Sequence, residues 1–184
     1  MRLFFYFLII FFIQINSIAS IEKNIINNFL NLQNINFDFN QTIKGKDERG
    51  NCTISYPMKI YCKYNSRHEK ILVSNGKSLV IKSKKNQQYF IYPLKETPLF
   101  YLLDKNFLIN EIRKSKAKII DDKYYTFSIN KKNQKINIFF KKEDLSLIGW
   151  QTEDIYQNLS VTYIYNIKLN KNIDENVFKL PKTF

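Results

Sequence analysis

Apolar and polar residues alternate with a period of two through the middle of the chain. Between residues 52 and 103, short alternating runs are separated by turn residues such as Pro57 and the pair Asn75 and Gly76, and helical spacing begins only after Pro98. Alternation is typical of strands with one buried face, and Pro, Asn and Gly between such runs mark turns. This stretch therefore predicts neighbouring antiparallel strands that end in a short apolar helix.

The segments on either side extend this pattern. Before it, Ile21, Ile25 and Phe29 recur at helical spacing, and an alternating strand follows from Asn34. The polar residues 44–51 predict a loop or a wide hairpin turn. After a second short helix and a basic break, four more strands are predicted at Tyr124–Ile129, Lys135–Phe140, Leu145–Thr152 and Leu159–Leu169. The fold class expected is α+β and mainly β, with one strongly curved antiparallel sheet of about ten strands.

The N-terminus has a different pattern from the rest of the 184 residues. Arg2 precedes an apolar run over residues 3–13, and small residues follow at 17–19, an arrangement typical of a signal peptide. We therefore expect residues 1–19 to be removed and residues 20–184 to form a single soluble domain with a core of its own. The alternative is an uncleaved membrane anchor, but the run is short for a hydrocarbon layer of ~30 Å.

The formal net charge of +13 does not indicate a nucleic-acid partner. Lysines are dispersed along the whole chain, without a basic helix, a zinc module or an aromatic RNA-binding motif. An exported protein also does not meet nucleic acid. We interpret the charge as a solvated surface, with anionic lipid headgroups as a secondary partner.

The two cysteines, Cys52 and Cys62, predict a disulfide. An even cysteine count in an exported chain favours oxidation. A hairpin centred on Pro57 would place the two residues directly opposite each other, within disulfide range. Two free thiols acting as small core residues are the alternative.

No catalytic or metal-binding constellation is recognisable in the sequence. The chain has one histidine, His68, in a charged turn, and it has no nucleophile elbow, zinc-protease motif or phosphate-binding glycine loop. We expect a protein that is not an enzyme and that uses neither a metal nor a cofactor.

Several short motifs together resemble the LolA family, the periplasmic carriers of outer-membrane lipoproteins. They are the Phe39-Asn40-Gln41 ending of the first strand, the strand-Pro-strand at 56–64, the hairpin at 71–77, the helix start Thr97-Pro98-Leu99 with Leu102 and Leu103, and the closing Phe178-Lys179-Leu180-Pro181. No single motif is specific, but their order and spacing cover essentially the whole chain after the signal peptide.

The resemblance implies an incomplete barrel whose open side is covered by a helical lid. It implies a monomeric periplasmic chaperone that accepts acylated lipoproteins from an inner-membrane ABC transporter and releases them to an outer-membrane acceptor. The ligand surface expected from the inward strand positions is Phe37, Phe39, Ile60, Leu72, Leu79, Ile81, Phe90, Ile138, Phe140 and Trp150. The lid would add Leu99, Leu102 and Leu103. Ordinary core packing is the alternative for each of these residues, because alternation does not show whether a cavity is filled.

One position departs from the family. Family members commonly carry an arginine before the proline at position 57, and it hydrogen-bonds the lid shut, whereas this chain has Tyr56. Lid closure would then depend on other contacts, or the lid would be looser. Two other functions stay open: a lipid-binding sensor with the same fold, and a structural protein with a filled core.

Overall fold

The computed structural model describes residues 15–131, 134–153 and 157–183. Three α-helices are described: α1 (Ile15–Leu30), α2 (Leu99–Leu103) and α3 (Lys105–Lys114). The strands are β1 (Asn34–Ile43), β2 (Lys46–Ser55), β3 (Lys59–Tyr64), β4 (Lys70–Asn75), β5 (Ser78–Ser83), β6 (Gln88–Pro93), β7 (Lys118–Ile120), β8 (Tyr124–Lys131), β9 (Gln134–Lys141), β10 (Leu147–Glu153) and β11 (Leu159–Leu169).

All strands belong to one sheet of eleven, in the order β6-β5-β4-β3-β2-β1-β11-β10-β9-β8-β7. Every neighbouring pair is antiparallel, and β6 and β7 are the two edges, so the sheet is not closed into a barrel. The expected fold class, a single antiparallel sheet forming an incomplete barrel with helices, is confirmed. Most of the predicted signal peptide, residues 1–14, lies outside the described residues. Residues 15–19 already belong to α1.

Local irregularities help the sheet to curve. The register shifts between β1 and β11 at Asn36 and Asp38, and between β9 and β10 at Leu147 and Gly149. Such bulges increase the bend and twist of a strand. Gly149 has φ +152°, and a Cβ added there would lie 2.1 Å from the carbonyl oxygen of Thr162, so only glycine fits this close approach.

Two predicted boundaries are wrong. The polar residues 44–51 are mostly strand, because Lys44 and Gly45 both have positive φ and turn the chain within two residues. The first residues of β2 lack apolar alternation because they project past the packed core: Lys46, Asp47 and Arg49 are exposed, and Glu48 is half-buried. Within the basic break, Lys118–Ile120 forms the short edge strand β7, whose three residues are all exposed.

The helices lie on the concave face of the sheet. In α1, Ile25 and Phe29 are buried, and the Phe29 ring meets the edge of the Phe140 ring on β9 at 6.0 Å. The α3 helix packs beside α1, and the Lys105 ammonium group donates to the carbonyl oxygens of Leu30 and Leu32. A cation there satisfies carbonyl groups at the end of α1. Among the described helices, none is both long and apolar enough to cross a bilayer.

The C-terminal segment crosses the outer face of the sheet. A single 3₁₀ turn at Glu175–Phe178 lies against β3 and β4, and the Tyr89 hydroxyl on β6 donates to the Pro181 carbonyl at 3.1 Å. Phe178, Val73 and Val80 are buried apart from the main core cluster. Strands β4 and β5 therefore have apolar residues on both faces.

Candidate functional site

The concave face holds a partly open cavity of about 390 Å³ over one half of the sheet, which we call the main cavity. Phe90 on β6 and Trp150 on β10 both line it. These strands are seven spacings apart in the sheet order, which would be roughly 34 Å if the sheet were flat. The sheet must therefore curl strongly to bring both side chains to one cavity.

Most of the wall is apolar. It includes the disulfide and many of the residues that the sequence analysis placed on the ligand surface. The predicted residues that line the main cavity are Phe39, Ile60, Leu72, Leu79, Ile81, Phe90 and Trp150 from the strands, and Leu99 from α2. Ile43, Tyr92 and Pro98 add to the apolar wall.

The other predicted residues do not line the main cavity. Phe37 and Ile138 are 1% exposed and belong to the packed core, where the Phe37 ring meets the edge of the Trp150 indole at 5.9 Å. Phe140 packs against Phe29. Leu102 and Leu103 belong to α2 itself, and their side chains are buried in the same core. Any contact of these five residues with a ligand stays a prediction.

A second cavity of about 370 Å³ lies between α1 and the sheet, and we call it the helix cavity. Ile25, Phe29 and Leu32 form its helical side, and Phe140 and Leu147 belong to its strand side. Among the described residues, the helix cavity is thus separate from the main cavity, and Phe140 borders the helix cavity.

One end of the main cavity is polar, a feature that sequence reasoning missed. The Gln41 side-chain amide donates to Ser160 Oγ at 3.2 Å and to Thr162 Oγ1 at 3.0 Å. The Tyr64 hydroxyl donates to Gln41 Oε1 at 3.5 Å. We call these four side chains the polar end. Continuing the inward alternation of β1 from Phe39 to Gln41 would have indicated its first member.

An ion pair flanks the polar end. The Lys70 ammonium group bonds the Glu48 carboxylate and lies 3.8 Å from the centre of the Tyr64 ring. Burial, with a smaller contribution from the Glu48 carboxylate, raises the pKa of Tyr64 above its ordinary value. The Tyr64 phenol is therefore neutral at physiological pH and keeps its hydrogen for donation.

The predicted disulfide between Cys52 and Cys62 is confirmed, and it lies in the wall of the main cavity. The two cysteines are direct partners across β2 and β3. The bond therefore cross-links two neighbouring strands in the wall of the main cavity, next to Ile60 on β3.

The short helix α2 closes one side of the main cavity. Its N-cap is Pro98, and the Thr97 hydroxyl donates to the Leu94 carbonyl at 2.8 Å. At the other end of the helix, the Met58 backbone N–H donates to the Leu103 carbonyl at 3.0 Å. This main-chain bond joins α2 to the turn after Pro57, close in sequence to Tyr56.

Comparisons with known proteins agree with this architecture. The family model described as outer membrane lipoprotein carrier protein LolA matches residues 31–181. No curated protein sequence matches the chain significantly.

Two solved structures share the fold at very low identity. A domain named for outer-membrane lipoprotein sorting, from Vibrio parahaemolyticus, matches with a TM-score of 0.52 and 7% identity over 89% of this chain and 97% of that chain. An uncharacterised conserved protein from Thermus thermophilus gives a TM-score of 0.52 and 7% identity, over 89% of this chain and 94% of that chain.

Proposed function

Because this chain belongs to the LolA family of outer membrane lipoprotein carrier proteins, we propose that it carries acylated lipoproteins with their acyl chains in the main cavity. The observation that supports this most directly is the cavity itself. Phe39, Ile60, Leu72, Leu79 and Ile81 form an apolar wall that no side chain of the described residues fills. An apolar wall of this kind is complementary to hydrocarbon.

The energetics favour a carrier with such a cavity. Each acyl methylene transferred from water to an apolar site contributes about 0.8 kcal/mol. A lipoprotein with several long chains therefore does not cross an aqueous compartment unaided. A protein that encloses the chains removes most of this barrier, and the family's members are binding proteins rather than enzymes. The described residues hold no group of three or more His, Cys, Asp or Glu side chains suited to a metal ion.

The family membership also motivates the proposed route. The chain would be exported to the periplasm by the signal peptide at residues 1–19. As a monomer it would receive cargo from an inner-membrane lipoprotein-releasing ABC transporter and pass it to an outer-membrane acceptor. A periplasmic route is consistent with the disulfide, because such bonds persist in oxidising compartments.

We further propose that α2 acts as the lid. Leu99 is its contact with the cavity, and the Met58–Leu103 main-chain bond takes the place of the family's arginine latch. A main-chain bond of this kind contributes about 1 kcal/mol, so it can break when cargo is loaded or released.

A release assay tests the proposal. Spheroplasts without outer membrane would receive the purified mature protein, and the supernatant would be tested for lipoprotein in a soluble one-to-one complex. Leu72→Trp, which places an indole in the main cavity, should abolish complex formation. Ile119→Trp puts the same side chain on the exposed edge strand β7 and should leave it unchanged.

Two results would contradict the proposal, the first its carrier function and the second the role of the main cavity. One is the absence of any complex with folded, disulfide-bonded wild-type protein. The other is equal complex formation by Leu72→Trp and Ile119→Trp, which would place cargo outside the main cavity. Acyl-probe binding without release would favour the lipid-binding sensor, and absence of both would favour a structural protein.

A further inference from the structure

The polar end of the main cavity has more hydrogen-bond donors than the protein itself uses. Gln41 carries two amide hydrogens, and Ser160, Thr162 and Tyr64 carry one hydroxyl hydrogen each. The three contacts among them use one hydrogen apiece. Two of the five hydrogens are therefore left over, and the described residues supply no further acceptor to these four side chains.

This surplus does not depend on how the Gln41 amide is oriented. With Nε2 towards β11, the unused hydrogens belong to the Ser160 and Thr162 hydroxyls. With the amide turned over, those hydroxyls donate to Oε1, and one amide hydrogen and the Tyr64 hydroxyl hydrogen are left. In both orientations two donors face the cavity.

The hydroxyl donors of the polar end are well shielded from bulk water, and the Gln41 amide is half-buried. Ser160 is 5% exposed and Thr162 is 3% exposed. A buried donor without an acceptor is costly, so an occupant that displaces water from this end should bring an acceptor of its own. A purely hydrocarbon occupant would leave both donors unsatisfied.

The polar groups cluster around Gln41, which follows Phe39 by two residues on β1. Thr162 pairs with Gln41 across β1 and β11, and Ser160 pairs with Ile43 one step nearer the Lys44–Gly45 turn. Tyr64 is level with Phe39 and reaches Gln41 through its hydroxyl. Two residues along a strand span about 6.6 Å. The hydrocarbon of a bound acyl chain would therefore contact the apolar wall around Phe39. The polar group at the head of that chain would lie beside Gln41.

The charges nearby favour a neutral acceptor. Glu48, Glu153 and Lys70 line the main cavity, and Lys70 is bonded to Glu48. The ionised lining thus has an excess of one negative charge, which disfavours the carboxylate of a free fatty acid. An ester or amide carbonyl accepts hydrogen bonds without adding charge.

We propose that the polar end is a subsite for the neutral ester or amide carbonyl at the head of an acyl chain. The inference rests on the proposed acyl-carrier function and adds an orientation to it. Acyl chains extend from Gln41 towards Phe39 and Leu99. While the cargo is bound, the rest of it protrudes from the cavity near the Lys44–Gly45 turn rather than beneath α2.

Competition binding tests the subsite. Delipidated mature protein is loaded with a fluorescent naphthylamine probe, which is displaced by monopalmitoylglycerol or by the hexadecyl glyceryl ether, which differs only by lacking the carbonyl. Palmitate serves as the charged competitor. The wild type should prefer the ester to the ether by about five- to tenfold, the contribution of one to two hydrogen bonds.

Two double variants remove the donors in turn. Ser160→Ala with Thr162→Val removes the hydroxyl donors, and Gln41→Met with Tyr64→Phe removes the others. One of the two pairs should reduce the preference below about twofold, and which one does so identifies the orientation of Gln41. Thr162→Ser keeps a hydroxyl and should keep the preference.

Thr126→Val is the matched control, because Thr126 is equally buried but lies on β8, away from the main cavity. Circular dichroism and urea midpoints confirm that each variant is folded. Equal displacement by ester and ether, retention of the preference in both double variants, or stronger displacement by palmitate would overturn the subsite while acyl binding stands. If no competitor displaces the probe, the acyl-carrier function itself fails.

Discussion

The two halves of the concave face have similar inward side chains, but one half is packed under helices and the other, which we call the open half, borders the main cavity. Over β8 and β9, inward residues such as Phe127, Ile136 and Ile138 are at most 1% exposed. Over β4 and β5, the inward residues Leu72 and Ile81 are only half-buried and face the main cavity. Both sets are apolar and alternate in the same way.

The difference comes from what lies above each half. Helix α1 lies over β9, where Phe29 is buried against Phe140, and α3 packs beside α1 with Leu108, Ile109 and Ile112 buried in the same core. In the part of the chain that the structure describes, the helix over the other half is α2, which has five residues, and Leu99 lines the cavity together with Thr97 and Pro98 just before the helix. A cavity here is thus created by a short covering element and not by a special lining.

The largest test of this comparison uses the same substitution in each half. Ile138→Ala should lower the free energy of unfolding by about 2–5 kcal/mol, because it opens a void in a packed core. Ile81→Ala should cost about 1 kcal/mol, because the side chain is half-buried and already borders a space. Urea unfolding measures both, provided that the m-values stay equal. Equal losses would show that the two halves are packed alike.

A second test concerns the Cys52–Cys62 disulfide in the open half. Replacing both Cys52 and Cys62 by Ala should lower the free energy of unfolding by about 2–4 kcal/mol, because the bond closes a loop between residues ten apart. Amide exchange should increase in β2 and β3 and stay unchanged in β8 and β9.

The control for the disulfide test is the reductant itself. Dithiothreitol should lower the stability of the wild type by a similar amount and leave the double variant unchanged. Faster exchange spread evenly over both halves would contradict a local role for the disulfide in the open half.

Most of the fold could be predicted from the sequence because its signals are local. Alternation identified the strands, and Asn75-Gly76 identified a tight hairpin, which joins β4 and β5. The cysteines were matched across β2 and β3 because pairing around Pro57 fixes their register. β7 was missed because three exposed residues carry no alternation to detect.

The candidate site could be predicted only in part. Alternation gives the inward face of a strand, and the inward residues Leu72, Leu79 and Ile81 line the main cavity. It gave Phe37 and Ile138 in the same way, although these are covered by other elements. Whether a helix reaches a given strand depends on tertiary packing, which a period of two does not encode. The polar end was missed for a related reason, since a glutamine at an inward position does not interrupt a strand pattern.

The smallest test uses the ionisation of Tyr64 at the polar end. Its folded pKa is raised by burial and by Glu48, so its stabilising contribution is full below the ordinary tyrosine pKa of about 10 and is lost as the pH rises further. The unfolding free energy of the wild type should fall above pH ~10 by up to about 1.4 kcal/mol per pH unit from this group, and Tyr64→Phe should lack that component. Near pH 7 the variant should differ by less than about 1 kcal/mol, because the Tyr64–Gln41 contact is long at 3.5 Å. Urea midpoints at closely spaced pH values measure both curves. Parallel curves for the two proteins would mean that water reaches the phenol freely, and the open half would then be wet down to its polar end.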